Sequence, residues 1–131
     1  MGKQWDSKLE IGNKKIDHQH KELFELVSML DRAIQKDPKT EIPEIILFLE
    51  HYVSSHFKDE ETYMKRHRYE GYEHHQKEHD KFKEKVVSLR TDYEEGTKDA
   101  KLMFSIRKCI DSMVDHILTV DVGLAEFSKG H

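Results

Sequence analysis

The segment HQKEH, residues 75–79, places two histidines four residues apart in a stretch without glycine or proline. Residues at this spacing lie on the same face of an α-helix, one turn from each other. The face continues with Phe82 and Val86, so the two imidazoles share a stripe with apolar side chains. Because the apolar stripe of a bundle helix points toward the core, the spacing predicts that His75 and His79 are buried.

The same periodicity extends over most of the chain. Apolar residues recur at steps of three and four in four segments, and no segment of useful length shows the alternation of a strand. The 131 residues are therefore predicted to form a single all-α domain, an antiparallel up-down-up-down four-helix bundle. The four predicted helices cover approximately residues 17–36, 41–67, 71–95 and 98–118.

Turn signals mark the ends of these helices. Asp37 and Pro38 separate the first two, Thr40 is expected to cap the second, and Gly96 can adopt the left-handed conformation that ends many helices. An irregular N-terminal arm is predicted over residues 1–16 and a tail over residues 122–131. The arm offers three apolar side chains for packing against the bundle: Trp5, Leu9 and Ile11.

Composition excludes several classes of protein. Charged residues make up 37% of the chain and apolar residues 36%, and the net charge of −4 gives no broad basic surface for nucleic acid. The longest apolar run, IILFL at 45–49, is too short to span a membrane, and the first twenty residues contain no apolar segment typical of a secretory signal. Cys109 is the single cysteine and is expected in the core. A cytoplasmic location is the resulting expectation.

Polar residues on the inward stripes all fall at one end of the predicted bundle. They lie near the start of the first and third helices and near the end of the second and fourth, which antiparallel packing brings to one level. Buried histidines and carboxylates need partners, so the convergence predicts a shared site. The inward residues are His20, His56, Glu60, His75, His79 and His116. The remaining histidines are predicted on the surface: His18, His51, His67, His74 and His131.

With Asp121 added, the inventory is five imidazoles and two carboxylates, which favours two metal ions. A structural zinc takes four ligands, so seven convergent groups are too many for one. The chain contains neither the HExxH pattern of zinc proteases nor the ExxH pattern of carboxylate-rich di-iron bundles. Imidazole suits iron as well as zinc or copper, so the metal stays open on these grounds.

Four segments resemble the ligand-bearing helices of the hemerythrin family: IDHQHKELF, HFKDEETYM, HHQKEHDKF and HILTVD. Trp5 and Asp6, followed by LEIGNKKIDHQH, are similar to the leading arm of bacterial hemerythrins. The resemblance covers essentially the whole chain. It implies a non-haem di-iron centre with an oxo or hydroxo bridge that binds dioxygen reversibly. One departure is the segment VGLAEFSKGH after Asp121, where many members have a tyrosine-containing segment.

The resemblance also implies a role for each of the seven residues. One iron would be held by three histidines and the other by two, with two carboxylates bridging them, which leaves one open position on the two-histidine iron. The three-histidine set is His75, His79 and His116, the two-histidine set is His20 and His56, and the bridging carboxylates are Glu60 and Asp121.

The five-residue spacing of His116 and Asp121 does not suit a regular helix. Five residues advance an α-helix by about 500°, which leaves the two side chains roughly 140° apart. If both residues bind the same centre, the backbone must be distorted or must end between them. The spacing therefore predicts an interruption of the helix near residues 117–122, made easier by Gly123.

Dioxygen carriage, storage or delivery is the leading functional interpretation, and an enzymatic role is not expected. A sensor that reports dioxygen or redox state to a protein partner would use the same centre, as would an enzyme acting on peroxide or nitric oxide. The sequence leaves the oligomeric state open between a monomer and a homo-oligomer.

Overall fold

The computed structural model describes residues 10–34 and 37–129, and helices dominate this part of the chain. Two π-helical turns, Tyr52–His56 and Ile117–Asp121, join pairs of α-helices into longer rods, so that residues 10–34 and 37–129 form four rods. None of the described helices has the length and apolar character needed to cross a membrane. The α-helices are α1 (Lys14–Ile34), α2 (Pro38–His51), α3 (Phe57–Arg66), α4 (Tyr72–Glu94), α5 (Asp99–His116) and α6 (Val122–Lys129).

The rods pack as the predicted all-α four-helix bundle. Helix α4 contacts α2, α3 and α5, and α5 contacts α1 and α2 across the core. Gly96, between α4 and α5, has the predicted left-handed conformation with φ of +86°. The bounds of α4 and α5 differ from the predicted ones by one or two residues. The predicted end of the fourth helix, residue 118, falls inside the second π-helical turn.

Helix α1 begins earlier than predicted because polar side chains organise the turn before it. The side chain of Asn13 accepts hydrogen bonds from the amides of Lys15 and Ile16, which caps the helix. The expected irregular arm thus ends at Asn13 in the described part of the chain. Ile11 is buried as predicted. Trp5, Leu9 and the side chain of Ile34 lie outside the described residues.

The carboxylate of Asp17 fastens the chain that leads into α1. It accepts hydrogen bonds from the amides of Ile11 (2.8 Å) and Gly12 (3.3 Å). Burial raises the pKa of Asp17, although both amide hydrogen bonds act in the opposite direction. These contacts hold Ile11 at the end of the bundle, where it belongs to an apolar cluster with Ile16, Met64, Leu124 and Ala125.

We expect Asp17→Ala to destabilise the protein by about 1–3 kcal/mol, because it removes the acceptor of the buried Ile11 amide. Asp17→Asn retains one carbonyl acceptor and should lose less. Urea unfolding of the metal-loaded protein measures both, with Asp111→Ala as a control at an exposed aspartate. Equal stability of Asp17→Ala and the control would contradict the role of this turn.

Helix α2 starts at Pro38 and is capped by Asp37, so the prediction of Thr40 as the cap is wrong. The Asp37 side chain accepts from the amide of Lys39 (3.1 Å) and from the hydroxyl of Thr40 (3.3 Å). The backbone amide at the first position of a helix has no acceptor within the helix. Proline has no amide hydrogen, so Pro38 loses no hydrogen bond at the position after this cap.

Helix α6 replaces most of the predicted tail. It continues the fourth rod beyond Asp121 and buries Leu124 and Ala125. Gly123 therefore does not break the helix. A Cβ atom at this position would lie 3.2 Å from the Tyr69 hydroxyl, so glycine makes room for that side chain.

The buried histidines and carboxylates predicted for the site form a polar layer, and an apolar cluster lies on either side of it. The larger fills the bundle from α1 to α5 and includes Cys109, which is buried as predicted. The smaller closes the end at which α1 begins and α3 ends. Its buried members are Ile11, Ile16, Met64, Leu124 and Ala125. In each rod the candidate site residues lie between positions that belong to the two clusters, so the site is enclosed from both ends.

Candidate metal centre

All seven side chains predicted for the site lie together in this layer. None is more than 5% exposed, although every one can carry a charge: His20, His56, Glu60, His75, His79, His116 and Asp121. His75 is buried whereas its neighbour His74 is exposed, which confirms the helical register chosen from the sequence. His18, His51 and His67 are also exposed as predicted, and His131 lies outside the described residues.

The Glu60 carboxylate lies between two groups of histidines. Its Oε1 is 2.7 Å from Nε2 of His75 and 3.1 Å from Nε2 of His79. Its Oε2 is 2.9 Å from Nε2 of His20 and 3.2 Å from Nε2 of His56. Each oxygen of this single carboxylate therefore faces a different set of imidazoles.

Asp121 divides its two oxygens in the same way. Its Oδ1 is 2.6 Å from Nε2 of His75 and 3.0 Å from Nε2 of His116, while its Oδ2 is 3.1 Å from Nε2 of His20. The two carboxylates thus separate the layer into a three-histidine side and a two-histidine side. We use these terms for His75, His79 and His116 and for His20 and His56, respectively.

The donor atoms of each side are close enough to share one ion. Potential ligand atoms of Glu60 and the three-histidine side lie within 4.8 Å of one another, and so do those of the two-histidine side with Glu60 and Asp121. The Nε2 atoms of His75 and His116 are 3.0 Å apart, a contact that two neutral acceptor nitrogens would oppose. The buried Oδ1 of Asp121 faces the same two Nε2 atoms. This set of nitrogen and oxygen donors suits a pair of transition-metal ions.

The second π-helical turn accounts for the spacing of HILTVD. Hydrogen bonds in a π-helix join residues five apart, so residues at that spacing fall near one face. The turn Ile117–Asp121 lies directly after His116 and ends at Asp121, and both side chains are buried in the site. The predicted interruption of the regular helix is confirmed, in the form of a wider turn rather than a helix end.

The first π-helical turn was not predicted. It covers Tyr52–His56 and ends on the candidate ligand His56, as the second ends on Asp121. The sequence YVSSH contains no glycine or proline, and buried residues continue at steps of three and four on both sides of it. The sequence pattern therefore does not distinguish this π-helical turn from a regular α-helical one, and only the tertiary structure shows it.

Three imidazoles use their outward nitrogen in hydrogen bonds that direct Nε2 toward the centre. Nδ1 of His56 lies 2.6 Å from the Gln19 amide oxygen and Nδ1 of His79 lies 2.8 Å from Glu61. Nδ1 of His116 lies 2.9 Å from Glu78. Such contacts hold the ring orientation and tautomer of histidines that bind metals.

Sequence reasoning missed these three supporting residues. Each is adjacent in sequence to a candidate ligand, Gln19 before His20, Glu61 after Glu60 and Glu78 before His79. Polar neighbours of this kind are common on exposed helix faces, so adjacency alone gives no usable signal. All three support a histidine on a different rod, which only the tertiary structure reveals.

Aromatic rings enclose the histidines on the side of the larger apolar cluster. Phe57 stacks on the His79 ring with centroids 3.9 Å apart and an interplanar angle of 1°. Tyr52 stacks on His56 at 4.6 Å, and Phe82 meets His116 edge-on at 5.4 Å. These contacts exclude water from the imidazole faces and hold the rings in place.

Electrostatics in the layer keep the carboxylates ionised. Burial lowers the pKa of His20 and His75, but hydrogen bonds to Asp121 and Glu60 outweigh it and raise each pKa to about 10. Burial raises the pKa of Glu60 and Asp121, but the surrounding histidines outweigh it and hold both pKa values well below their usual range. The pKa of His56 is lowered by burial. The layer thus offers anionic oxygens to a cation.

Comparisons with known proteins agree with this geometry. Residues 12–126 match the family model described as a hemerythrin HHE cation binding domain. The chain is 30% identical to a bacteriohemerythrin of Clostridium acetobutylicum, across 89% of this chain and 94% of that protein. It is 28% identical to a myohemerythrin of Sipunculus nudus, across 89% and 86% of the two chains.

A third relative, a hemerythrin-like protein of Naegleria gruberi, is 31% identical across 76% of this chain and 75% of its own. No solved structure gives a significant match. The family model spans most of the chain and all seven residues of the layer. This protein belongs to the hemerythrin family.

Proposed function

We propose that this protein binds dioxygen reversibly at two iron ions held by the seven residues, for the carriage, storage or delivery of dioxygen. The observation that carries the proposal is the orientation of Glu60 and Asp121. Each of these buried carboxylates directs one oxygen to the three-histidine side and the other to the two-histidine side. Family membership supports iron and dioxygen as the metal and ligand.

The unequal number of histidines suggests where dioxygen binds. One ion would be held by His75, His79 and His116 and the other by His20 and His56, with Glu60 and Asp121 shared and an oxo or hydroxo bridge between the ions. The two-histidine side then has one protein ligand fewer, which leaves room for a small molecule. When bound, the two irons supply the electrons that reversible dioxygen binding requires.

The protein's own contribution is to orient the ligands and exclude water. Tyr52 and Phe57 pack against the rings of His56 and His79, and the smaller apolar cluster covers the layer from the opposite end. Exclusion of water and protons protects a reduced metal pair from irreversible oxidation. A sensor, or an enzyme acting on peroxide or nitric oxide, would use the same residues. The cytoplasmic location of the protein remains a prediction.

Oxygen titration of the reduced, iron-loaded protein tests the proposal. We expect two irons per chain and a visible absorption change that appears with dioxygen, disappears on purging with argon, and survives repeated cycles. His56→Ala should lose this change and bind one iron weakly, while His51→Ala, which removes an exposed histidine of the same rod, should behave as the unmodified protein.

Two outcomes would contradict carriage. Rapid irreversible oxidation without a reversible change would favour the redox or enzymatic alternative. Iron content far below two per chain in the unmodified protein would remove the proposed centre itself. A reversible change in His56→Ala as large as in His51→Ala would show that the two-histidine side is wrongly assigned.

A further inference from the structure

The hydrogen bonds behind the candidate ligands differ between the two sides of the centre. On the three-histidine side, His79 and His116 each face a carboxylate, that of Glu61 or Glu78. On the two-histidine side, His56 faces the neutral amide oxygen of Gln19 at 2.6 Å. An anionic acceptor draws the Nδ1 proton toward itself and makes the imidazole a stronger electron donor, whereas an amide does so less.

The orientation of the Gln19 amide is fixed by an ion pair at the surface. Its Nε2 donates to Oδ2 of Asp59 at 3.1 Å, and Nζ of Lys15 lies 3.2 Å from the same oxygen. Because an ionised carboxylate can only accept, Asp59 must receive the NH₂ group. The amide oxygen is then left to face His56, and His56 must carry its proton on Nδ1 and present an unprotonated Nε2 to the centre.

We propose that Gln19 is a positioning residue that makes the two-histidine metal the less electron-rich of the pair. Locked by Asp59 and Lys15, it fixes the tautomer of His56 without the added basicity that a carboxylate would give. A weaker donor set stabilises the reduced state of the metal on the side where dioxygen is expected to bind. This inference rests on the proposed two-metal centre, although it does not require that dioxygen binding be reversible.

The double substitution Gln19→Glu with Asp59→Asn tests the proposal at constant net charge. It moves the carboxylate one step along the hydrogen-bonded chain, so that Glu faces His56 and the Asn amide donates to Glu. We expect the iron-loaded protein to become easier to oxidise, with a shift on the order of tenfold in the one-electron equilibrium, about 59 mV, in a titration with redox dyes. Asp59→Asn alone keeps the neutral amide beside His56 and should shift the potential much less.

The reciprocal change on the three-histidine side should act in the opposite direction. Glu61→Gln replaces the anionic acceptor behind His79 with an amide of the same shape. We expect this variant to be harder to oxidise than the unmodified protein. A shift of the same sign in Glu61→Gln and in the double variant would overturn the proposal, because it would show that the charge of the acceptor does not set the direction.

A zinc-loaded sample gives a readout that does not depend on iron or dioxygen. Zinc is diamagnetic, so the Nδ1 proton of His56 can be followed by NMR and its exchange with water measured. Gln19→Ala should speed this exchange at least tenfold, while Lys58→Ala, at an exposed neighbour of His56, should not. Unchanged exchange in Gln19→Ala would overturn the assignment of Gln19, whereas failure of reversible oxygenation with the expected exchange would overturn only the proposed function.

Discussion

Removal of the metals should cost this protein more stability as the pH rises. In the metal-free protein, burial lowers the pKa of His20 and His75, but their contacts with Asp121 and Glu60 outweigh it and raise each pKa to about 10 from 6.5. The folded state then binds protons that the unfolded chain releases, so the stabilisation from these histidines is full below pH 6.5 and is lost as the pH approaches 10.

The metal-loaded protein should behave differently. Metal ions bind the unprotonated imidazoles and compete with protons, so stability rises with pH up to about 6.5 and then levels off. The difference between the two forms therefore widens with pH, by on the order of 1 kcal/mol per pH unit for each proton involved. Urea unfolding of iron-loaded and chelator-treated samples at several pH values measures this difference.

Two variants identify the residues responsible for the pH dependence. His20→Gln should flatten the decline of the metal-free protein above pH 6.5, because the proton that His20 holds in the folded state is no longer bound. His18→Gln, at an exposed position of the same helix, should leave the decline as it is. A difference between metal-loaded and metal-free protein that stays constant or narrows with rising pH would contradict this account of the site.

Glu60→Gln should have the largest effect of any single substitution on the metal centre. The Glu60 oxygens lie within 3.2 Å of four imidazoles from both sides of the layer, so neutralising this residue weakens both proposed sites at once. We expect at most one iron per chain after purification. Breaking a buried network of charges by removing one partner also destabilises a protein by about 3–5 kcal/mol.

Metal analysis and urea unfolding measure the two effects of Glu60→Gln separately. Glu44→Gln makes the same chemical change at an exposed position of α2 and serves as the matched control. Both effects should be absent there. Full iron content in Glu60→Gln would show that the Glu60 carboxylate does not bridge the two sides, despite its contacts with histidines of both.

Much of the layer could be predicted from sequence because the direction of each side chain follows from helical periodicity. The i, i+4 relation to His79 predicts that His75 rather than His74 points inward, and the structure buries His75. The level of each residue follows from antiparallel packing, which short connections impose. The five-residue spacing of His116 and Asp121, which does not fit one face of an α-helix, also predicts where the regular helix is distorted.

Features that depend on contacts between distant parts of the chain could not be predicted. Gln19 supports His56 from another rod, and Glu78 supports His116 in the same way, so neither has a local signature. Helix α6 forms where a tail was expected because Leu124 and Ala125 can pack on Ile11, Ile16 and Met64, which come from other helices and from the turn before α1.

The sequence by itself determined a helical bundle with six polar residues gathered in its interior, since the periodicity of each helix sets which residues point inward. Asp121 joined them through the resemblance to the hemerythrin family. Only the tertiary structure decided which oxygen of Glu60 and Asp121 faces which histidines, and which polar groups support His56, His79 and His116. It also decided how the layer is closed by α6. These arrangements depend on distances of a few ångströms between residues from different helices, and such distances are set by packing rather than by position along the chain.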